Sequence, residues 1–394
     1  MRRIASDLST AILLPVAVRK LKSRLRLPAV LLFLLFALLM TGCHGAGGGK
    51  KLVIFHAGSL SVPVRELAAA FMKENPGVTV LTEAAGSLHS ARKITDLGKP
   101  CDIMLSADHI VISSMLIPEH ASWNIRFATN EIVIAYRPES AYSSILREDN
   151  WADILLKNDV IIGRADPDAD PCGYRTVFAA KLAEDFYGRP WLADSLLEKD
   201  KDYIRPKEVD LVALVSSGVI DYMFQYRSVA IQHGFSYLEL PDEINLSSPL
   251  MTERYTGVSY MIPGGSPGER TEVRGDYISY SGTVLDKALQ KELAMKFFEF
   301  MLSEEGRKIF RDCGQEPLVP AIADDPADVP ASLRQYLSAG SASLHQIPAA
   351  VPASLRQYLS AGAASLHQFP ADVPASLHQY LAAAPASPPT GSGK

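Results

Sequence analysis

The sequence predicts an α/β protein with parallel sheets and helices on both faces. Three observations carry this: short continuous apolar runs, stretches with apolar residues on one helical face, and alternation of the two from Lys51 to about Ala323. Leu52-Val53-Ile54-Phe55 is the first such run and predicts a buried strand. Val64, Leu67, Ala68 and Phe71 follow at i, i+3, i+4 and i+7, one face of a helix. Further strands are predicted at Val78-Thr79-Val80-Leu81, Asp102-Ile103-Met104-Leu105, Ile132 to Tyr136 and Val160 to Gly163. Late in the chain Leu289, Leu293, Ala294, Phe297 and Met301 mark an amphipathic helix, expected to close near Gly306.

The flank before this region reads as an export signal. Arg2, Arg3, Arg19, Lys20, Lys22, Arg24 and Arg26 make a basic stretch, and Leu27 to Thr41 is apolar. That run of about 15 residues is short for a membrane span, which needs ~20. A charged segment, an apolar segment and small Gly42 before Cys43 predict a signal peptide over 1–42, with an uncleaved membrane anchor as the alternative. Leu39-Met40-Thr41-Gly42-Cys43 is similar to a bacterial lipobox, which makes Cys43 the expected lipidation site and 43–50 a glycine-rich tether.

Composition agrees with an exported globular chain. Its 394 residues are 47% hydrophobic and 21% charged, with a formal net charge of -5. That size permits one two-lobed body or two domains, and the slight acidity gives no reason to expect nucleic acid as a partner. With Cys43 set aside, Cys101, Cys172 and Cys313 allow at most one disulfide, and no Cys-x-x-Cys spacing is present.

The tail is a repeat. Val-Pro-Ala-Ser-Leu-Arg-Gln-Tyr-Leu begins at Val329 and again at Val351, and a near copy begins at Val373, a period of 22 residues. Each copy is short and rich in Ala, Ser and Pro, so 324–394 is expected to be disordered rather than a stacked array.

Two matching turns open the functional reading. Ala57-Gly58-Ser59-Leu60 and Ala85-Gly86-Ser87-Leu88 each follow a predicted strand and enter a helix, where backbone N–H groups favour anions. The alternative is that both serines only cap helices. Asp170 either binds or starts the helix near Tyr174, Glu208 beside Lys207 and Arg205 is either a ligand or part of a solvated face, and Tyr226 is either a donor or a core aromatic. Cys172 reads as a buried backbone contributor, and His56 and His89 as packing or surface residues. A serine hydrolase is disfavoured because neither turn is a Gly-x-Ser-x-Gly elbow, and no His-Glu-x-x-His or phosphate-loop motif occurs. No catalysis and no cofactor are expected.

Longer motifs make the reading specific. Pro100-Cys101-Asp102-Ile103-Met104, Ser106-Ala107-Asp108, Asp170-Pro171-Cys172-Gly173-Tyr174-Arg175, Arg205-Pro206-Lys207-Glu208 and Tyr226-Arg227-Ser228, with the two Gly-Ser-Leu turns, span the globular part. Together they resemble the archaeal-type tungstate/molybdate-binding proteins of oxyanion ABC importers. The resemblance implies a periplasmic-binding-protein type II (venus-flytrap) fold, with two α/β lobes hinged by two crossing strands. The first lobe would comprise 51–135 and 258–323 and the second 136–257, with crossings near Ile132–Tyr136 and Val258–Pro263.

The same resemblance implies a site. Gly58, Ser59 and Ser87 would come from the first lobe, and Asp170, the Pro171-Cys172 backbone, Glu208 and Tyr226 from the second. Asp170 and Glu208 would approach the tungsten or molybdenum of the bound anion. The partner implied is a membrane permease, and the protein would act as a monomer held by its lipid on the extracytoplasmic face of the membrane or in the periplasm. Alternatives of the same class are a binder of sulfate or phosphate, or an anion sensor. Relatives of this type end soon after a segment resembling Val329 to Leu337, which marks the later copies as a duplication.

Overall fold

The computed structural model describes residues 49–264 and 268–337. The chain divides into a unit Met1–Lys50 and a unit Lys51–Lys394, and the architecture below is that of the second. The expected signal peptide, the Cys43 site, the tether as far as Gly48 and the second and third tail copies lie outside the described residues.

Strands β1 (Lys50–Ala57), β2 (Val78–Ala85), β3 (Ile103–Ser106), β4 (Ile125–Thr129), β12 (Ser279–Val284) and β13 (Glu316–Ala323) build one sheet, ordered β13-β4-β12-β3-β1-β2. A second sheet, ordered β7-β6-β8-β5-β9, joins β5 (Ile132–Tyr136), β6 (Ile162–Ala165), β7 (Ile204–Arg205), β8 (Tyr222–Tyr226) and β9 (Ser236–Glu239). A hairpin of β10 (Ser259–Pro263) and β11 (Arg270–Arg274) stands apart.

The sheets are mixed, not parallel throughout. β1 pairs with β3, and β6 with β7 and β8, in parallel, as the βα alternation predicts. β12 runs antiparallel to β3 and β4, β13 antiparallel to β4, and β5 antiparallel to β8 and β9. β5 and β12 cross between the lobes and enter their sheets without the covering helix that a parallel connection requires, whereas β13 follows the helices Lys291–Leu302 and Glu304–Asp312 of its own lobe. An apolar run carries no mark of direction.

The crossings also move. The chain leaves the first sheet at Thr129 and enters the second at Ile132, so all of β5 belongs to the second lobe and the first lobe ends before 132. The return comes at Ser279 rather than near Val258–Pro263. The β10–β11 hairpin stays with the second lobe, where Lys181 Nζ donates to Ser259 O at 2.9 Å and Arg270 pairs with Asp168 at 3.1 Å.

Helical faces follow the sequence closely. Helix Ser61–Glu74 buries Val64, Leu67, Ala68 and Phe71, each such aliphatic or aromatic side chain being worth roughly 1.5–3 kcal/mol when fully buried. Phe71 then meets Phe297 edge-on at 5.1 Å, tying this helix to Lys291–Leu302 near the other end of the chain. That late helix begins after Leu289, which is exposed, and does not end at Gly306. It stops at Leu302, and Ser303 caps a new helix, Glu304–Asp312, by accepting from the Gly306 N–H at 3.3 Å. A serine followed by two acids is a start signal, and it outweighs the breaking tendency of the glycine.

The first tail copy is also ordered, contrary to the expectation for 324–394. Val329 and Leu333 are buried in the main core, Arg334–Tyr336 forms a single 3-10 turn, and Leu337 bridges to Ala321 on β13. Cys101, Cys172 and Cys313 are free and buried.

Candidate functional site

The ends of β1 and β2 in the first lobe face loops of the second lobe across a closed cleft. Gly58, just after β1, lies so near Glu208 that a Cβ there would stand 2.9 Å from both carboxylate oxygens. A Cβ on Gly86, just after β2, would stand 2.3 Å from Ala169 O and 3.0 Å from Pro206 O. Both turns are therefore glycine because the opposing lobe touches their backbone. At Gly86 the opposing atoms are main chain and cannot swing aside. Gly86→Ala is expected to hold the lobes apart while leaving each core intact. Solution scattering should show a larger radius of gyration, and anion affinity should fall by at least about a hundredfold if binding needs the closed form. An unchanged radius would refute this.

Neither serine caps its helix. The helices that follow lack a side-chain cap hydrogen bond at their first turn. Instead Ser59 Oγ accepts from the Tyr280 hydroxyl at 3.0 Å, and Ser87 Oγ accepts from the Ala107 N–H at 3.0 Å. Tyr280 is held in turn by Asn130 Nδ2 at 2.9 Å, so the donor order runs inward from the crossing between β4 and β5. With a fixed donor on the oxygen, each serine keeps its own proton to give to an anion. Gln315 Nε2 pins the Ser59 carbonyl at 3.0 Å.

Tyr226, at the end of β8, obeys the same rule. Its hydroxyl accepts from Arg175 Nη1 at 2.8 Å, and burial pushes its pKa well up, so it remains a proton donor. Arg175 reaches across the cleft: it pairs with Asp108 Oδ2 at 2.9 Å and donates to Ala107 O at 2.6 Å. The Tyr174 hydroxyl joins the same Asp108 oxygen at 2.8 Å, while Asp108 Oδ1 caps helix His109–Met115. Burial alone would raise the Asp108 pKa, but Arg175 and then His109 outweigh it and hold the carboxyl below its usual value.

Asp170 and Glu208 form the centre. Asp170 does cap a helix, Pro171–Tyr187, by accepting from the Cys172 N–H at 2.8 Å. Its carboxyl faces that of Glu208, and burial followed by the Glu208 charge pushes the Asp170 pKa well above its ordinary 3.8. Glu208 is no solvated residue: it is 1% exposed, and neither oxygen receives an N–H or O–H donor among the described residues. Two facing acceptors can bond to each other only through a proton on one of them. Lys207 turns away to pair with Asp210 at 3.3 Å, while Gln225 Nε2 holds the Glu208 carbonyl at 3.0 Å.

The expected Pro171-Cys172 donor is not free here. Pro171 has no N–H, and that of Cys172 is taken by Asp170, so this segment positions the carboxyl. Burial drives the Cys172 thiol up, which leaves it unreactive. His56 is buried, donates from Nδ1 to Ala57 O at 2.8 Å and has its pKa lowered to about 4 by burial, while His89 is exposed. Sequence reasoning quoted Asp108 and Arg175 within motifs without giving them roles. It passed over Tyr280, Asn130, Gln225 and Gln315, which lie in stretches with no local signature.

The closed cleft thus brings the Asp170 and Glu208 carboxyls together with hydroxyls from both lobes. Among the described residues no group of three or more His, Cys, Asp or Glu side chains is arranged to hold a metal ion.

Comparison with known proteins agrees with this architecture. Among solved structures, the sulfate-binding protein SubI of Mycobacterium tuberculosis superposes with a TM-score of 0.51 at 15% identity, covering 71% of this chain and 88% of that one. The periplasmic molybdate-binding protein of Azotobacter vinelandii superposes with a TM-score of 0.50 at 18% identity, covering 67% and 98%. These likenesses establish the two-lobed periplasmic-binding-protein type II fold. The molybdate/tungstate-binding protein WtpA of Pyrococcus abyssi is 41% identical over 332 residues, 76% of this chain and 95% of its own length. Residues 52–316 match the family model described as bacterial extracellular solute-binding protein. With two lobes meeting across a closed cleft and a family match over residues 52–316, this chain belongs to the bacterial extracellular solute-binding proteins.

Proposed function

We propose that this protein captures tungstate or molybdate outside the cytoplasm and delivers it to the permease of an ABC importer, performing no chemistry itself. The carrying observation is the buried Asp170–Glu208 pair, with both Glu208 oxygens lacking a donor, inside a ring of hydroxyl donors. Two carboxylates facing an oxyanion repel it unless its centre accepts them as ligands. An electron-poor W(VI) or Mo(VI) centre can expand its coordination in this way, and the sulfur of sulfate cannot. The pair therefore also discriminates against sulfate. The name of the Pyrococcus relative supports the same ligand.

Closure completes the site. The anion would first meet Ser59 and Ser87, and the second lobe would then bring Asp170, Glu208 and Tyr226 over it and exclude water. Lipidation at Cys43 would hold the chain at the extracytoplasmic membrane face and raise its local concentration near the permease. No described helix is long and apolar enough to cross a membrane. A single chain suffices for the site, which fits action as a monomer.

Proton release provides the test. A raised Asp170 pKa favours the ligand-free closed form most below the unfolded value, and that contribution is lost as pH rises through the folded value. Binding that needs both carboxylates ionised must therefore release a proton below that raised pKa, so affinity should climb with pH and then level. Titration calorimetry with tungstate, molybdate, sulfate and phosphate, in buffers of different ionisation enthalpy, measures this directly. Tight binding of the first two with proton release is expected. Proton uptake, with phosphate preferred, would instead assign the carboxylates to accepting a protonated anion.

A further inference from the structure

The first tail copy sits in a groove of the first lobe, and its anchoring residues recur twice later in the chain. Val329 and Leu333 enter the core of the first lobe, Tyr336 lines a small cavity with Phe127, Met301, Phe310 and Ala321, and Leu337 bridges to Ala321. Arg334 closes the turn on its own segment, its Nε donating to Val329 O and its Nη2 to Ala327 O, both at 2.8 Å. Every one of these positions recurs. Ala327, Val329, Leu333, Arg334, Tyr336 and Leu337 become Ala349, Val351, Leu355, Arg356, Tyr358 and Leu359 in the second copy. The third differs only in having His378 for the arginine.

We infer that this groove is a binding site for the repeat unit, and that Val351–Leu359 of the same chain is an alternative occupant to Val329–Leu337. Identical anchors make identical contacts, so tether length decides the order of preference. About five residues separate Ala323 from the first copy, about 27 from the second and about 49 from the third. Loop-closure entropy growing as three-halves of RT ln n then favours the first copy over the second by about tenfold, and over the third by about thirtyfold. Evicting the first copy therefore costs little, because a spare follows it. A second molecule cannot compete easily, since each groove already has three tethered occupants. This inference is independent of the anion bound in the cleft.

The test uses full-length chains. Leu333→Asp places a charge in the core, a penalty far above tenfold, and should transfer the groove to the second copy. Hydrogen exchange should then show protection lost from 329–337 and gained at 351–359, with a small drop in thermal midpoint. The triple variant Leu333→Asp/Leu355→Asp/Leu377→Asp should lose both protections and show a much larger drop. Equal drops for the single and triple variants, with 351–359 exchanging freely, would overturn the inference. Protection of 351–359 that depends on protein concentration, with dimers in light scattering, would overturn the intramolecular occupant in favour of a second copy of the chain.

Discussion

Glu208→Ala is expected to lower tungstate and molybdate affinity by about a hundredfold or more while improving sulfate binding. Loss of a partner that merely orients a metal ligand costs 10–100-fold, and a carboxylate bonded to the metal centre itself should cost more. Removing it also removes one of the two negative charges that oppose a generic anion. The two effects have opposite sign for the two classes of anion, so the ratio of affinities is the quantity to measure. Glu208→Gln sharpens the result. It keeps the shape but deletes a buried charge whose oxygens have no donor, so the ligand-free protein should become more stable, on the order of 1–3 kcal/mol. Asp170→Asn should lose affinity similarly yet keep the helix cap, which Asp170→Ala would forfeit at a further cost of ~1 kcal/mol. Tungsten-edge X-ray absorption on the wild type should show more than four oxygen neighbours. Four-coordinate tungsten, with wild-type affinity in Glu208→Ala, would remove the carboxylates from the site.

Asp108→Asn is expected to weaken binding of every anion by a similar factor. Asp108 belongs to the first lobe, whereas Tyr174 and Arg175, which meet its Oδ2 at 2.8 and 2.9 Å, belong to the second. Asp108 is 5% and Arg175 3% exposed only because the lobes are closed. Asparagine keeps the helix cap on Ile110 but leaves Arg175 without its counter-ion. Breaking a buried pair from one side costs about 3–5 kcal/mol. An open form can hydrate both groups, so the penalty falls on closure, and apparent affinity scales with the closed fraction. The Asp108 carboxyl titrates below its usual value, so the pair contributes above the unfolded pKa and is lost only as pH falls through the folded one. The effect should thus be constant near neutral pH. The radius of gyration without ligand should rise. A loss confined to tungstate and molybdate, or an unchanged radius, would refute the latch.

The two variants separate selectivity from closure, and that separation tracks what was legible in the sequence. Asp170 and Glu208 stand in motifs specific enough to be picked out by resemblance. Without it, each had an ordinary explanation, and for Asp170 that explanation is also true, since it caps its helix. Tyr280 and Asn130 had no such signal. Their roles arise from a hydrogen-bond chain joining residues 150 and 221 positions apart, and no local pattern encodes contacts at that separation. The Gly306 expectation failed for a local reason, because a capping serine three residues earlier than the expected stop restarted the helix.

Apolar periodicity by itself placed the strands β1, β2, β3, β5 and β6 and the buried face of helix Ser61–Glu74, because burial requires period 2 or 3.6 whatever the neighbours. The turns after β1 and β2 were likewise visible, because small residues at strand ends permit few other uses. Tertiary structure alone decided strand direction, the place of each crossing and the donor order around the cleft. Direction leaves no mark on an apolar run, and a hydroxyl becomes a committed donor only when a distant group occupies its oxygen. The tail shows both halves at once. Sequence revealed three similar copies, and only the packed core of the first lobe decided that the first of them is folded against it.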